Sequence, residues 1–474
     1  MKHLDIRNLD YFEAIAPKRK KIRNRHRYYW NDITRYIQYF VHENASVLEV
    51  GCGTGEMLNE LVAAQKTGID YSPEMIKVAK QSFPDLDLRV MNANNLEFDR
   101  TYDVVILSNL IGFVDDIQHV FLELKKVCHP NTKVIVSFYN STWEPFLSFA
   151  EKIGLKTKSP QQNWLTHFDI NNLLYLAGFD VYRQVRRTLI PFNIPILSFV
   201  FNKYFAKLPL LRYLGLNMFS FAMKFPESNE DLKNRYSVSI VIPARNESGN
   251  IENAILRMPD FAKHHEIIFV EGNSTDDTWE TIQKIKAKYD HTHDIKITQQ
   301  SGKGKGDAVR KGFGMATGDI LMILDADLTM PPEELPKFYN AIAGYKGDFI
   351  NGSRLVYAMD EKAMRFLNRL GNKFFSQAFT WLLEQKFRDT LCGTKVLFRK
   401  DYEKLIINRK FFGDFDPFGD FDLLFGAYKL NLKIVEIPIR YKDRTYGDTN
   451  ISRFKHGFML LQMCIFAMRK CKFY

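Results

Sequence analysis

The sequence predicts two α/β units in series, each built on a parallel, doubly wound sheet. Three observations carry this: short apolar strands alternate with helix-patterned stretches from about residue 46, a polar break occupies residues 226–237, and a fresh alternation starts directly after it. A chain of 474 residues, 46% hydrophobic and 26% charged, is long and apolar enough to bury two such cores.

In the first alternation, SVLEV (46–50) reads as a buried strand, followed by a glycine-rich turn and a helix-patterned run from Glu56 to Ala64. A second strand ends at Asp70, and LRVMNA, YDVVILSN and TKVIVSFYN follow as strands, with the helical DIQHVFLELKKVC before the last. Residues 1–45 read as a helical lead-in rich in Arg, Lys and Tyr. Beyond the break, the strands are VSIVIPA, EIIFVEG and DILMILDADL, with NIENAILRMPDFA and DDTWETIQKIKAKY as helices between them. The two halves use different turn motifs, so the joint reads as a fusion and not as a duplication. The expected domains are residues 1–225 and 238–452, with 226–237 as linker and 453–474 as an amphipathic C-terminal segment.

The formal net charge of +11 favours anionic partners such as nucleotides or phospholipid headgroups. No zinc-finger spacing and no long basic amphipathic helix points to nucleic acid, so none is expected as a partner. Five cysteines, odd in number and with no CxxC pair, argue against a disulfide framework or a zinc site and for a reducing, cytoplasmic setting. The N-terminal residues lack the apolar run of a secretory signal. No stretch reaches the roughly 20 apolar residues that a spanning helix needs. Residues 186–225 and 453–474 interleave apolar and cationic residues, a pattern that fits either core helices or peripheral contact with the cytoplasmic face of a membrane.

The turn after the first strand reads Glu49-Val50-Gly51-Cys52-Gly53-Thr54-Gly55. Alternate glycines let the backbone approach a ligand closely, and the helix start beyond them favours an anionic group. Asp70, about 20 residues on, is placed to accept hydrogen bonds from a ribose. A nicotinamide dinucleotide fold would need G-x-G-x-x-G, and the third spacing here differs. Residues 46–140 resemble class I S-adenosylmethionine-dependent methyltransferases, whose motif is E-x-G-x-G-x-G. The resemblance implies a Rossmann-like fold and S-adenosyl-L-methionine as cofactor. Glu49, Gly51, Gly53 and Gly55 would then surround its methionine part, Asp70 would hold the ribose, and Tyr71 would lie near the adenine. Asn92 stands where that family often has an acid for the adenine amine. Ser108, Asn109 and Leu110 would face the methyl donor. His119 and His129 are the histidines nearest in sequence to a catalytic role, and neither is singled out as a base.

The second half carries a denser set. Pro243, Arg245, Asn246 and Glu247 end one strand, and Glu271 ends the next, ahead of Ser274 and Asp276. Asp325-Ala326-Asp327 places two carboxylates one residue apart at a strand end, a hard-oxygen pair suited to Mg²⁺ or Mn²⁺ and a diphosphate. Residues 236–450 resemble family-2-type inverting glycosyltransferases of the GT-A (nucleotide-diphospho-sugar transferase) fold, most nearly the dolichyl- and polyprenyl-phosphate mannose synthases. The resemblance implies a nucleotide-sugar donor gripped by Pro243, Arg245, Glu247 and Glu271, with Asp325, Ala326 and Asp327 as the DXD metal motif. Arg245 replaces a frequent Tyr, and Gly272 replaces a second acid. Gly302-Lys303-Gly304-Lys305-Gly306 matches the family's glycine-lysine turn, and Asn351-Gly352-Ser353-Arg354 its G-S-R. Arg354 would meet a diphosphate or the acceptor phosphate. Asp389, Thr390 and Gly393 match the acceptor loop. Asp420 and Asp422 precede an apolar helix and could either face the site or cap that helix. Arg444 matches the first residue of the R-x-Y-G-E-S-K loop, whose Lys is Asn450 here, leaving Arg453 or Lys455 as substitutes.

Two acceptors remain open. A polyprenyl phosphate is already anionic and needs no strong base, whereas a glycan hydroxyl needs one, for which Asp389 is the candidate. The first half is either an active methyltransferase or a cofactor-binding regulatory module.

Overall fold

The structure is a computed structural model that describes residues 3–160, 162–226, 232–354, 366–390, 392–407, 421–440, 446 and 453–473. It divides into two compact units that meet in sequence at Phe225–Pro226.

The first unit opens with three helices, α1 (His3–Ile15), α2 (Arg19–Arg25) and α3 (Arg27–Gln38). Then come β1 (Ser46–Val50), α4 (Glu56–Glu60), β2 (Gln65–Asp70), α5 (Pro73–Ser82), β3 (Asp87–Val90) and β4 (Tyr102–Ser108). It continues through α6 (Ile117–Leu124), β5 (Cys128–Tyr139), α7 (Glu144–Lys152), α8 (His167–Leu176), β6 (Phe179–Arg187), α9 (Leu197–Lys203) and β7 (Asn217–Lys224). Local chemistry sets the starts: Ser72 caps α5 by accepting from Met75 N, with Pro73 at the first helical position, and Thr166 and Asp169 form a capping box on α8. The seven strands run in the order β3-β2-β1-β4-β5-β7-β6. The pairs from β3 through β5 are parallel, while β7 lies antiparallel to both β5 and β6. The order reverses between β1 and β4, so the turns beyond those two strands open a crevice at the sheet's C-terminal edge.

The second unit contains β8 (Val238–Ala244), α10 (Ile251–Leu256), β9 (His265–Glu271), α11 (Thr278–Tyr289), β10 (Asp294–Gln299), α12 (Lys305–Met315) and β11 (Ile320–Ile323). Next come α13 (Leu335–Ala343), β12 (Phe349–Ser353), α14 (Phe366–Leu383), β13 (Lys395–Phe398), α15 (Arg399–Ile407), α16 (Phe421–Lys429), β14 (Ile434–Pro438) and α17 (Arg453–Ala467). Its sheet order is β10-β9-β8-β11-β13-β12-β14, with β13 antiparallel to both neighbours. Ile240, Ile242, Phe269, Met322 and Leu324 are fully buried against Phe338 and Tyr339 of α13. Parallel strands covered in this way read as unbroken apolar runs.

Three expectations need correction. Both sheets are mixed, not wholly parallel. In addition, residues 217–224, expected within an interfacial or helical stretch, form strand β7, buried along seven of its eight positions. NMFSFAMK is apolar or small on both faces, which suits a strand enclosed on both sides and gives no alternation to read. The helix after the first turn is also shorter than expected, because Leu61 is already extended. In α17, Met463, Cys464 and Ala467 are buried, while Phe458, Leu461 and Ile465 stay exposed.

Candidate functional site

In the first unit the site grows from the turn after β1. Gly51, Gly53 and Gly55 have φ of 76°, 54° and 80°, left-handed values that side chains resist. A Cβ at Gly51 would also lie 2.8 Å from Leu110 Cδ1. Asp70 locks the turn: it accepts from Gly53 N at 2.9 Å and Ser72 N at 3.0 Å. Burial pushes the Asp70 carboxyl up, and those two N–H groups only partly offset it. Glu49 is 3% exposed, and its Oε2 has no partner among the described residues. Burial raises Glu49 to about 8; Arg23 opposes that shift, and Glu56 and Asp70 add to it.

A cavity of about 240 Å³ opens beside this turn. Gly51, Gly53, Asp70, Tyr71, Asn92 and Ser108 line its sheet side. Tyr11, Phe12, Arg19, His26, Tyr29 and Trp30 of the N-terminal helices line it too, together with Leu147, Ala150, Leu155 and Lys156. Glu49 lines a smaller recess that shares Gly51, Gly53, Ser108, Arg19 and Trp30 with it. Asn92 Oδ1 accepts from Asn94 N at 2.9 Å, and Ser108 Oγ accepts from Ser137 Oγ at 3.2 Å. Asn109 donates to the Tyr29 hydroxyl (3.2 Å), which donates to Asn217 Oδ1 (2.8 Å). His119 meets Asn94 O at 3.0 Å, His129 meets Asp103 at 3.3 Å, and neither lines the cavity.

In the second unit the parallel register sets the ends of β8 and β9 side by side, pairing Ala244 with Glu271. Glu247 is buried; its carboxylate accepts from Asn250 Nδ2 at 2.7 Å, and its N–H donates to Thr278 Oγ1 at 2.9 Å. Glu271, also buried, accepts from Ser274 N at 2.5 Å and Gln299 Nε2 at 3.1 Å. Pro243 is half-buried and Arg245 is exposed. A Cβ at Gly272 would lie 3.1 Å from that of Arg245. The Tyr446 hydroxyl sits 3.0 Å from Ser248 Oγ, which brings one residue of the C-terminal loop to the β8 end.

Just past β11, Asp325 Oδ1 lies 2.6 Å from Lys305 Nζ at the start of α12. Burial pushes the Asp325 carboxyl up, but Lys305, Lys395 and Arg354 outweigh it, so it lies below the usual carboxylate range. Asp327 Oδ1 accepts from Thr329 N and Oγ1 at 3.1 and 2.8 Å, and Ala326 between the acids is buried. Arg354 and Asp389 pair with each other, at 2.7 Å (Nε–Oδ2) and 2.8 Å (a terminal guanidinium nitrogen–Oδ1). The Arg354 backbone N–H adds a third bond to Asp389 Oδ2 at 3.0 Å. Glu436 fixes this loop by accepting from the N–H groups of Arg388 and Asp389, and burial raises its carboxyl. Asp422, in the first turn of α16, lies 3.7 Å from Arg310.

Residues 48–136 match the model of a methyltransferase domain, and residues 239–406 match the model of glycosyl transferase family 2. The chain joins a methyltransferase domain to a family 2 glycosyltransferase domain. A dolichol-phosphate mannosyltransferase of Pyrococcus furiosus is 30% identical over 45% of this chain, which spans 59% of that relative's length. An undecaprenyl-phosphate 4-deoxy-4-formamido-L-arabinose transferase of Klebsiella pneumoniae is 26% identical over 49% of this chain and 67% of its own. Among solved structures, a SAM-dependent methyltransferase of Thermotoga maritima has 16% identity and a TM-score of 0.37, covering 46% of this chain and 99% of its own.

The structure brings every sequence-predicted residue of the methyltransferase domain except Glu49 and Gly55 to one cavity, with Glu49 in the adjoining recess and Gly55 shaping the turn. In the glycosyltransferase domain, Arg444, Asp420 and Asn450 lie outside the described residues, as do the side chains of Arg453 and Lys455. Sequence reasoning missed the α1–α3 wall, whose only signal was its density of aromatic and basic residues. It also missed the Lys305–Asp325 pair and Lys395, a fully buried cation acting on Asp325.

The donor sets suit the implied groups. The partnerless Glu49 oxygen suits a ligand that carries positive charge, as S-adenosyl-L-methionine does, and the left-handed glycines leave room for it. Asp325 is held ionised by surrounding cations, the state a hard divalent cation requires.

Glu49 also makes stability depend on pH. Below about pH 4.5 its carboxyl is neutral in folded and unfolded chains alike. Above that the unfolded chain loses the proton, and the folded one keeps it up to about pH 8, so relative stability falls across this window. The displacement from 4.5 to about 8 sets a ceiling of about 5 kcal/mol, at about 1.36 kcal/mol per pH unit. Glu49→Gln is therefore expected to melt close to wild type at pH 5 and higher than wild type at pH 8.5. Calorimetry of the transition that shifts with added S-adenosyl-L-methionine checks this; equal melting differences at both pH values would contradict it.

Proposed function

We propose that the chain is a bifunctional enzyme working at a membrane surface, on the cytoplasmic face. The glycosyltransferase domain moves a sugar, with inversion, from a nucleotide sugar to a polyprenyl phosphate. The methyltransferase domain transfers a methyl group from S-adenosyl-L-methionine to an acceptor not yet identified. Among the described residues no helix is long and apolar enough to cross a membrane, so the reading rests on peripheral contact.

The observation that carries the acceptor reading is the state of Asp389. Its side chain is 1% exposed and engaged in both oxygens by Arg354. A carboxylate so enclosed is poorly placed to take a proton from a sugar hydroxyl. A phosphate oxygen needs no such help, and polyprenyl phosphates figure in the names of the relatives.

A divalent cation on Asp325 and Asp327 would neutralise charge developing on the departing diphosphate. The chain's own residues do the rest. Lys305, Lys395 and Arg354 keep Asp325 ionised and add fixed positive charge beside the leaving group. Glu247 and Glu271, held rigid by Asn250, Ser274 and Gln299, offer oriented carboxylates to the nucleoside. In the other domain Asp70 and the glycine turn fix the donor, and Asn109 and Tyr29 order the wall across from it. Alignment of donor and acceptor supplies much of a methyl transfer.

The test incubates the full chain with polyprenyl phosphate, a panel of nucleotide sugars and Mg²⁺ or Mn²⁺, scoring lipid-linked sugar. Methyl-labelled S-adenosyl-L-methionine is followed in parallel. Asp325→Ala is expected to lower lipid-linked sugar by at least about a hundredfold and to leave S-adenosyl-L-methionine binding unchanged. Undiminished turnover in Asp325→Ala would remove the metal scheme. Sugar appearing only on soluble glycans would remove the phosphate acceptor.

A further inference from the structure

The methyltransferase domain carries an apolar projection that its own fold leaves uncovered. Ile196 has φ 65° and ψ −51°, and Leu197 N donates to Pro195 O at 2.7 Å. That is a γ-turn with a β-branched residue at its centre, a strained arrangement. It nevertheless points Ile196 outward, 81% exposed. The loop is firmly pinned. Ser198, 1% exposed, donates to Phe192 O at 2.6 Å and accepts from Ile194 N at 2.9 Å. Asn202 accepts from the N–H groups of Leu189 and Ile190 and donates to Ile190 O. A polar clamp thus holds an apolar tip in water instead of letting it collapse onto the core.

The tip belongs to a wider face. Leu210 is 83% exposed, and on α7 Phe146 and Phe149 are 65% and 61% exposed. The Trp143 indole donates to Leu214 O at 2.7 Å, tying the start of α7 to this segment. Residues 181–225 contain no Asp or Glu; of their seven Lys and Arg, Arg183 and Lys207 are buried, while half-buried Lys203 and Arg212 lie among the exposed apolar residues and give this part of the face its positive charge. Lys203 and Arg212 lie over the rings of Phe199 and Tyr213, at 5.1 and 5.3 Å, where they can meet anionic headgroups while the rings enter the lipid. Phe192, at the base of the tip, also lines the methyltransferase cavity.

We propose that this face, with Ile194 and Ile196 as its inserting tip, seats the methyltransferase domain on a bilayer bearing anionic headgroups. Its cavity is thereby set at the lipid surface, and the methyl acceptor is a lipid-borne molecule. The inference rests on the membrane-surface reading above and sharpens it, since it assigns contact to this domain and to these residues.

The experiment is co-sedimentation of the full chain with vesicles of phosphatidylcholine alone or with added phosphatidylglycerol. Wild type is compared with Ile194→Asp/Ile196→Asp and with Lys203→Glu/Arg212→Glu; none of these residues lines the cavity. Wild type is expected to bind the anionic vesicles, and each double variant to bind them at least about tenfold more weakly. Retained S-adenosyl-L-methionine binding certifies that the variants fold. If both variants bind like wild type, another surface carries the chain and this inference fails while the membrane reading stands. If wild type binds no vesicles, both fail. If it instead self-associates and the isoleucine variant does not, the face is a contact between copies and the inference is overturned.

Discussion

Gly393→Ala is expected to lower sugar transfer by at least about a hundredfold, as much as loss of the Asp325 carboxylate itself. A Cβ at this glycine would overlap Asp325 Oδ2 and Lys305 Nζ, and would lie 2.7 Å from Asp325 Cγ. Gly393 is not among the residues with positive φ, so alanine suits its backbone and the conflict is purely steric. The carboxylate has little freedom to yield. Its residue follows directly on Leu324, whose N–H bonds to Val241 O at 3.0 Å, and its Oδ1 is held by Lys305. Turning the side chain away would take Oδ2 from where it would serve the proposed cation. Calorimetric titration with Mn²⁺ is expected to show weakened binding, and kcat/KM for the nucleotide sugar is expected to fall. Melting of the methyltransferase domain is expected to stay unchanged. Gly272→Ala is the internal contrast: its Cβ would lie 3.1 Å from Arg245 Cβ and 3.3 Å from Ala244 O, a milder crowding that touches neither Asp325 nor Lys305, so a smaller loss is expected. Normal turnover in Gly393→Ala would mean that Asp325 does not hold the metal.

What the sequence made legible follows from the range over which each feature is decided. Gly51, Gly53 and Gly55 could be read because a turn that demands left-handed backbone admits few other residues. Glu271 and Asp325 could be read because a continuous apolar strand ends immediately before each. The wall of the methyltransferase cavity was not legible. Tyr11, Arg19, His26 and Tyr29 reach the site through packing between elements far apart in the chain, and α1 to α3 carry no motif that names their partner. Strand β7 was hidden for a related reason: an apolar run covered on both faces has no period to distinguish strand from helix. Arg354 and Asp389 were each legible as functional types, but their mutual pairing spans 35 residues and depends on how the loop held by Glu436 meets the end of β12.

That pairing sets the second large effect. Arg354→Met leaves the Asp389 carboxylate, 1% exposed, without the guanidinium that takes up both its oxygens. Removing one partner of a buried ion pair costs about 3–5 kcal/mol, because the remaining charge stays desolvated. Arg354 is itself 16% exposed, so solvent recovers little of this at the buried end. The glycosyltransferase transition is therefore expected to drop by several degrees in the single variant. Adding Asp389→Asn removes the stranded charge, while its amide oxygen can still accept from the backbone N–H of residue 354. The double variant is expected to regain much of the lost stability but not the sugar transfer, since the cation that Arg354 is proposed to bring to the phosphates is absent from both. Stability and activity thus separate: recovery of melting without recovery of turnover, with turnover kept in Asp389→Asn alone, assigns Arg354 to phosphate binding. Recovery of both would reduce the pair to a structural tie, and wild-type melting of Arg354→Met would mean the two side chains are not paired in solution.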